Sequence, residues 1–290
     1  MSVQVKFWGV RGSIATPSAD HMKYGGNTSC VELVLDDQIV ILDAGTGVRM
    51  LGNCLLNRNL KNYLFLQSHT HWDHINGFPF FAPVYCEDVN IQIMAGHLCD
   101  CGGIKKVLSS QMCQPTFPVP FEELAANIEF KDFRCGDEFT ILEKTKVKTT
   151  PLVHPDGGTG YRIEHDGVVV CYVTDTEHTP GEMDKNILEL IEGADLVIYD
   201  STYTDEEYPK FVGWGHSTWQ EGVRLCKAAG AKRLAIFHHD PSHDDTFMDQ
   251  VAADAAKEWE GAFVAREGQI VEIENSNIED GAVKLKTAFG

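Results

Sequence analysis

Short apolar runs alternate with stretches of helical period along the chain. QVKFWGV (4–10) and SCVELVL (29–35) read as strands, and QIVILDAGTG (38–47) reads as a buried strand running into a Gly-rich turn. VRMLGNCLLN (48–57) has the period of a helix and NYLFLQS (62–68) that of another strand. From Gly77 to about Asp137 the pattern loosens into a Pro- and aromatic-rich excursion, FPFFAPVY and PTFPVP, with a short strand VNIQIM (89–94) and helical pieces. Order then returns. TKVKTTPLV (145–153), GVVVCYVT (167–174), ADLVIYD (194–200) and KRLAIF (232–237) are strand-like, while residues 181–193, 217–230 and 245–261 are helix-like. Ser217 with Gln220, or Thr218 with Glu221, offers a capping box, and Gly230 suits a helix C′ position. Strands alternating with helices in both halves predict an α/β fold whose sheets are covered by helices. No linker interrupts residues 1–290, so one domain is expected.

Composition changes this picture little. At 43% hydrophobic and 23% charged, the 290 residues can bury a sizeable core. No run approaches the roughly 18 apolar residues of a membrane span, and the first residues have no apolar stretch after a basic one, so the cytosol is the expected compartment. The nine cysteines are odd in number and scattered, unlike a secreted disulfide framework. Charge matters more. A net −19 with no basic stripe would repel a long polyanion, so a nucleic-acid polymer is a poor expected partner. A small anionic substrate still fits if metal ions supply positive charge locally.

The candidate chemistry sits in SHTHWDH (68–74). His69 and His71 follow a strand, where residues two apart share a face, so both imidazoles can reach one ion. Asp73 and His74 come after a turn and can aim at a neighbouring point. His154, Asp175 and His238 each end an apolar run, and functional groups gather at strand ends in α/β sheets. Five histidines and two aspartates are what two divalent cations would use, whether zinc, manganese or iron.

HTHWDH resembles the signature of the metallo-β-lactamase superfamily. FWGVRGS, YGGNTSCVEL, ILDAGTG, DLVIYDSTY and GHSTWQEGVRLCKAAGAKRLAIFHHDP resemble its ribonuclease Z and phosphodiesterase branch. The resemblance implies a four-layer αββα sandwich, two mixed β-sheets with helices outside and a dinuclear site at one edge. It implies that His69, His71 and His154 hold the first metal, that Asp73, His74 and His238 hold the second, and that Asp175 bridges them. His238 is preferred to His239 because it directly follows the strand. The redox relatives carry Glu where His71 stands, which favours hydrolysis here. In the resembling nucleases a histidine of the GHST motif, backed by a carboxylate, serves the scissile phosphate. His216 and Asp200 match those places, although ribonuclease Z usually has His-Glu-Ala-Thr where this chain has Tyr199 to Thr202.

The catalytic set expected is therefore Asp73, orienting the water proton, with His216 and Asp200 at the leaving group. Arg11, in a Gly-flanked loop, is a candidate contact for an anionic group. Tyr85, Phe117 and Phe121 of the excursion are candidates to stack on a base or ring. Gly157, Gly158 and Gly160 read as closing a hairpin, and Arg162 as pairing with an acid. His97, Cys99 and Cys101 with Cys113 pose a structural-zinc alternative to plain free thiols. The leading function is hydrolysis of a small phosphodiester such as a 3′,5′-cyclic nucleotide. The alternatives are tRNA 3′-end processing, ester, thioester or lactam hydrolysis, and a metal-bearing sensor without turnover. A homodimer is the assembly expected by analogy.

Overall fold

A computed structural model describes residues 2–58, 60–274 and 284–287. The apolar runs form strands that gather into two sheets. In the first sheet, β1 (Ser2–Gly9), β2 (Cys30–Leu35), β3 (Gln38–Leu42), β4 (Asn62–Gln67), β5 (Asn90–Ala95) and β6 (Asn127–Asp132) lie side by side. The second sheet begins with β7 (Glu138–Ile141), β8 (Thr145–Leu152), β9 (Gly158–His165) and β10 (Val168–Val173). It continues through β11 (Leu196–Asp200), β12 (Leu234–Phe237) and β13 (Ala262–Val264). β14 (Gln269–Glu274) and β15 (Lys284–Thr287) return to the first sheet beyond β1. Each sheet is mixed. β3 through β6 are parallel, as are β10 through β13, and the remaining neighbours pair antiparallel.

The two sheets face one another across a core that includes Phe7, Leu33, Leu66, Tyr161, Tyr172 and Phe237. On the outer face of the first sheet lie α1 (Val48–Leu56) and α3 (Gly103–Gln111), over Phe65, Phe78 and Ile93. α4 (Lys185–Ile191), α5 (Trp219–Ala229) and α6 (Asp245–Glu258) cover the second sheet over Val197, Tyr199 and Ile236. This is the αββα sandwich of four layers.

Local chemistry sets the element ends. Of the two capping alternatives before α5, the hydroxyl of Thr218 accepts the Glu221 N–H at 3.1 Å, and Gly230 closes the helix in the left-handed conformation. Ser217 turns inward instead, to the Tyr199 hydroxyl at 2.9 Å and the His178 ring at 2.8 Å. β6, β7, β9, β13, β14 and β15 were not among the expected strands. The first two are short and polar on alternate residues (NIEFKD, EFTI). β9 carries Gly158 and Gly160 beyond the turn at Gly157, so the three glycines span a hairpin with β8 whose second strand was hidden by them. Among the described residues, no helix is long and apolar enough to cross a membrane.

Candidate metal centre

β3, β4, β8, β10, β11 and β12 all deliver their C-terminal ends to one edge of the sandwich. His69 and His71 follow β4, and His71 precedes the short α2 (Trp72–Ile75) that carries Asp73 and His74. His154 follows β8, Asp175 follows β10 and His238 follows β12. Asp43, Asp175 and His238 all have positive φ (60°, 56° and 63°). Each such residue costs of order 1–3 kcal/mol unless the surroundings hold it, and strain of this kind concentrates at functional sites. Here it turns three side chains away from their strands and into the site.

The donor atoms fall into two groups. Ligand atoms of His69, His71 and His154 lie within 4.8 Å of one another, as do those of Asp73, His74, Asp175 and His238. Between them stands Asp175. Its Oδ1 is 3.2 Å from His74 Nε2 and 3.3 Å from His238 Nε2, while its Oδ2 is 3.5 Å from His69 Nε2 and 3.7 Å from His154 Nε2. One oxygen faces each group, as a bridging carboxylate would. Asp73 Oδ2 lies 3.3 Å from both His74 Nε2 and His238 Nε2, and the Ser13 backbone N–H holds it at 2.8 Å.

The outer ring nitrogens are fixed. His74 Nδ1 meets Asp43 Oδ2 at 2.7 Å, His154 Nδ1 meets the Gly215 carbonyl at 2.7 Å, and His238 Nδ1 meets Thr202 Oγ1 at 3.0 Å. Such partners orient metal-bound imidazoles and set their tautomers. Two observations test whether cations fit. His69 Nε2 is buried without a hydrogen-bond partner. Imidazole nitrogens also face each other at 2.9 Å (His154 with His71) and 3.3 Å (His74 with His238). Nitrogen and carboxylate donors converging this way suit divalent transition ions. His239, the neighbour of His238, instead points its Nε2 to the Ala265 carbonyl at 2.8 Å.

The electrostatics agree. Burial lowers the pKa of His69 far below its ordinary value, reinforced by neighbouring His74, and keeps the ring neutral. Burial likewise lowers His154. Burial alone would neutralise Asp73 and Asp175, yet the histidines around them, His74 first for Asp73 and His238 first for Asp175, hold both well below the usual carboxylate range. Burial opposes charging of His74 too, but Asp175, Asp73 and Asp43 outweigh it and raise that imidazole well above its ordinary value. A buried pair of anions therefore faces one charged ring, while burial favours the neutral forms of His69 and His154.

Beside this cluster His216 Nδ1 meets Asp200 Oδ2 at 3.0 Å and comes within 3.9 Å of Asp175 Oδ2. Asp200 also accepts from the Thr176 and Thr202 N–H groups and the Thr202 hydroxyl. Burial opposes charging of His216, but Asp200 and then Asp175 and Asp73 outweigh it and raise the imidazole to about 9. A mouth of about 480 Å³ opens onto Ser13, Thr70, His71, Trp72, Asp73, Asp175 and His216.

The candidate substrate residues lie elsewhere. Arg11 is fully buried and donates to the carbonyls of Gly25 at 2.8 Å, Asp240 at 3.1 Å and His243 at 2.7 Å, strapping three loops together. Phe121 stacks on Phe78 in the outer core, Phe117 meets Phe80 edge-on, and the Tyr85 hydroxyl donates to the Pro79 carbonyl. None of the four lines the mouth. Arg162 pairs with Glu164 at 2.6 Å. Cys99 and Cys113 donate to the carbonyls of Phe133 and Ser110, and His97 Nε2 lies 3.4 Å from Thr70 Oγ1. Among the described residues, no metal-like cluster joins these thiols to His97. Asp36, His165 and Asp166 do converge at the far end of the sandwich, but Lys144 already supplies the cation there, 2.8 Å from both carboxylates.

Asp43 and Thr202, which hold the outer nitrogens of His74 and His238, are residues that the sequence reading did not single out. Asp43 carried a usable signal, because it ends the apolar run QIVIL just as Asp175 ends VVVCYV. Thr202 carried none.

Comparisons with known proteins follow this geometry. Residues 39–239 match the family described as Beta-lactamase superfamily domain. A protein named Ribonuclease Z from Haloarcula marismortui is 22% identical over 310 aligned residues, spanning 92% of this chain and 95% of that one. A metallo-β-lactamase fold protein of Bacillus subtilis superposes with a TM-score of 0.70 at 19% identity, over 93% of this chain and 99% of its own. The short form of human tRNase Z does so with 0.68 at 19% identity, over 92% and 98%.

Proposed function

This chain belongs to the metallo-β-lactamase superfamily, in its ribonuclease Z-like branch, and from that premise we propose that it hydrolyses phosphodiesters with two divalent cations held by the seven ligands above. Cations bound there would make water nucleophilic and offset charge on the phosphoryl oxygens. Asp73, steered by the Ser13 N–H, orients the attacking water and takes its proton. His216, its tautomer set by Asp200, presents its other nitrogen to the leaving oxygen and protonates it. The single observation that carries this reading is the Asp200–His216 pair beside the ligand cluster, which lactam or thioester hydrolysis gives no special task.

Two substrate readings remain, and different observations favour them. The name Ribonuclease Z, carried by the relative that aligns over 92% of this chain, favours an RNA substrate, as in the tRNA-processing alternative, over the cyclic nucleotide expected from sequence. The net charge of −19, and the absence of Lys and Arg from the mouth among the described residues, favour a small phosphodiester. A panel decides: zinc- or manganese-loaded protein with bis-p-nitrophenyl phosphate, a precursor tRNA, 3′,5′-cAMP, nitrocefin and a thioester. The proposal expects the phosphodiesters to be cleaved and the last two to be ignored. Turnover of nitrocefin or the thioester with no phosphodiester cleaved would sink it.

A further inference from the structure

Trp72 lines the mouth of the metal centre, and several apolar side chains close in sequence to site residues are also left in solvent. Ile14 is 63% exposed, Trp72 83%, Val153 58%, Val212 58% and Trp214 62%. Ile14 adjoins Ser13, Trp72 lies between His71 and Asp73, Val153 adjoins His154, and Trp214 is two residues before His216. An exposed tryptophan is costly in water and is enriched where it meets a partner. The two indoles come from different sheets, Trp72 on α2 after β4 of the first and Trp214 on the loop after β11 of the second.

Neither is loosely placed. α2 is pinned by two candidate ligands. The Trp214 loop is tied down by the Glu177 carboxylate, which accepts the Gly213 N–H at 2.8 and 2.9 Å and the Gly215 N–H at 2.7 Å. Gly215, at φ 82°, admits no side chain, because a Cβ there would meet His154 Nδ1 at 2.4 Å. Behind Trp214 the rings of Phe211 and Tyr203 lead back to His216, with centroids 5.5, 4.3 and 6.1 Å apart in turn. The loop therefore fixes the exposed indole next to Gly215, whose carbonyl orients the candidate ligand His154.

We propose that Trp72 and Trp214 are the specificity-determining residues of this centre and stack on the nucleobases flanking the scissile phosphate. The inference rests on the phosphodiesterase reading and adds the substrate class: nucleotide diesters with unpaired bases. Among the described residues no Lys or Arg lines the mouth to grip flanking phosphates, so π faces are the means we assign for holding a polar, flat substituent. The aromatic residues expected for this task lie in the excursion's own packing, which leaves it to these two.

The test compares two esters that release the same chromophore, thymidine 5′-p-nitrophenyl phosphate and methyl p-nitrophenyl phosphate. Stacking of one base predicts that Trp214→Ala or Trp72→Ala lowers the ratio of their kcat/KM values roughly 5- to 100-fold. Trp214→Phe should retain most of the ratio, and metal content should be measured for every variant. A second readout needs no turnover. Trp8 and Trp219 are buried and Trp259 half-buried, so adenosine monophosphate added to the protein should quench chiefly Trp72 and Trp214. The quench should vanish in the double alanine variant. An unchanged ratio, or an equal fall with both esters, overturns the inference even where the wild type cleaves both. If the wild type cleaves neither ester, the quench decides the two tryptophans by itself: none in the wild type, or the same in the double variant, overturns the inference, while the phosphodiesterase reading fails only if the panel's phosphodiesters are left intact as well.

Discussion

Replacing Asp43 with asparagine tests whether the second group of ligands is built from outside inward. Asp43 is fully buried and accepts five hydrogen bonds. Oδ1 takes the Ser68 N–H at 2.7 Å and the Gln67 amide at 2.8 Å, and Oδ2 takes the Ser68 hydroxyl at 2.6 Å, His74 Nδ1 at 2.7 Å and the Tyr172 hydroxyl at 2.8 Å. The backbone there has φ 60°, which asparagine adopts nearly as readily as aspartate, so the change isolates the side chain. The new amide can leave only one acceptor oxygen. If its nitrogen takes the Oδ1 position, it opposes two N–H donors that cannot turn away. If it takes the Oδ2 position, it opposes the imidazole, while the two hydroxyls must rotate. Each buried donor left unpaired costs about 1–3 kcal/mol, so roughly 2–5 kcal/mol of stability should go. His74, released from its orienting partner, should bind metal 10- to 100-fold more weakly, the scale for removing such a partner. Urea unfolding of the metal-free protein measures the first effect, and competitive chelator titration measures the second. Metal affinity equal to wild type in a clearly destabilised Asp43→Asn protein would refute the argument that Asp43 acts through His74.

Other predictions follow from the same geometry. Asp175→Ala should lower the metal content at both positions, since one oxygen faces each group, whereas His239→Ala should leave it unchanged; plasma emission analysis of dialysed protein reads both. His216→Ala should lower turnover of a phosphodiester by roughly 10²–10⁴-fold with metal content kept, and loss of metal would assign His216 to the ligands instead. As the acid, His216 works protonated, so the rate falls as pH rises through its pKa. Removing the raising carboxylate with Asp200→Asn should move that alkaline limb to lower pH in a kcat profile. Burial, reinforced by Arg11, depresses His239 to about 3, so the unfolded chain binds an extra proton between about pH 6.5 and 3. Its contribution is present above about 6.5 and lost as pH falls, by up to roughly 4–5 kcal/mol. His239→Gln should flatten the acid side of the stability curve in denaturant melts at stepped pH.

The parts of the molecule legible in the chain were those carried by near neighbours. His69, His71, Asp73 and His74 declare themselves because a strand followed by one helical turn sets their spacing within six residues. His154, Asp175 and His238 are visible as polar residues ending apolar runs; β10 and β12 are near-continuous apolar stretches buried on both faces, whereas β8 (TKVKTTPL) is an antiparallel strand with Lys146 and Pro151 left in solvent. Polar and glycine-bearing strands such as β6 and β9 lacked that mark. They are strands because β5 and β8 offer them partners. Tertiary pairing alone decided the rest. It put Arg11 against three carbonyls rather than in the mouth, sank Phe121 beneath the outer layer, set Asp43 behind His74, and left Trp72 and Trp214 exposed. A residue's type and its close neighbours determine what it can do chemically. Which way it points depends on the register and stacking of strands far away in the chain, and the chain's local pattern carries no record of that.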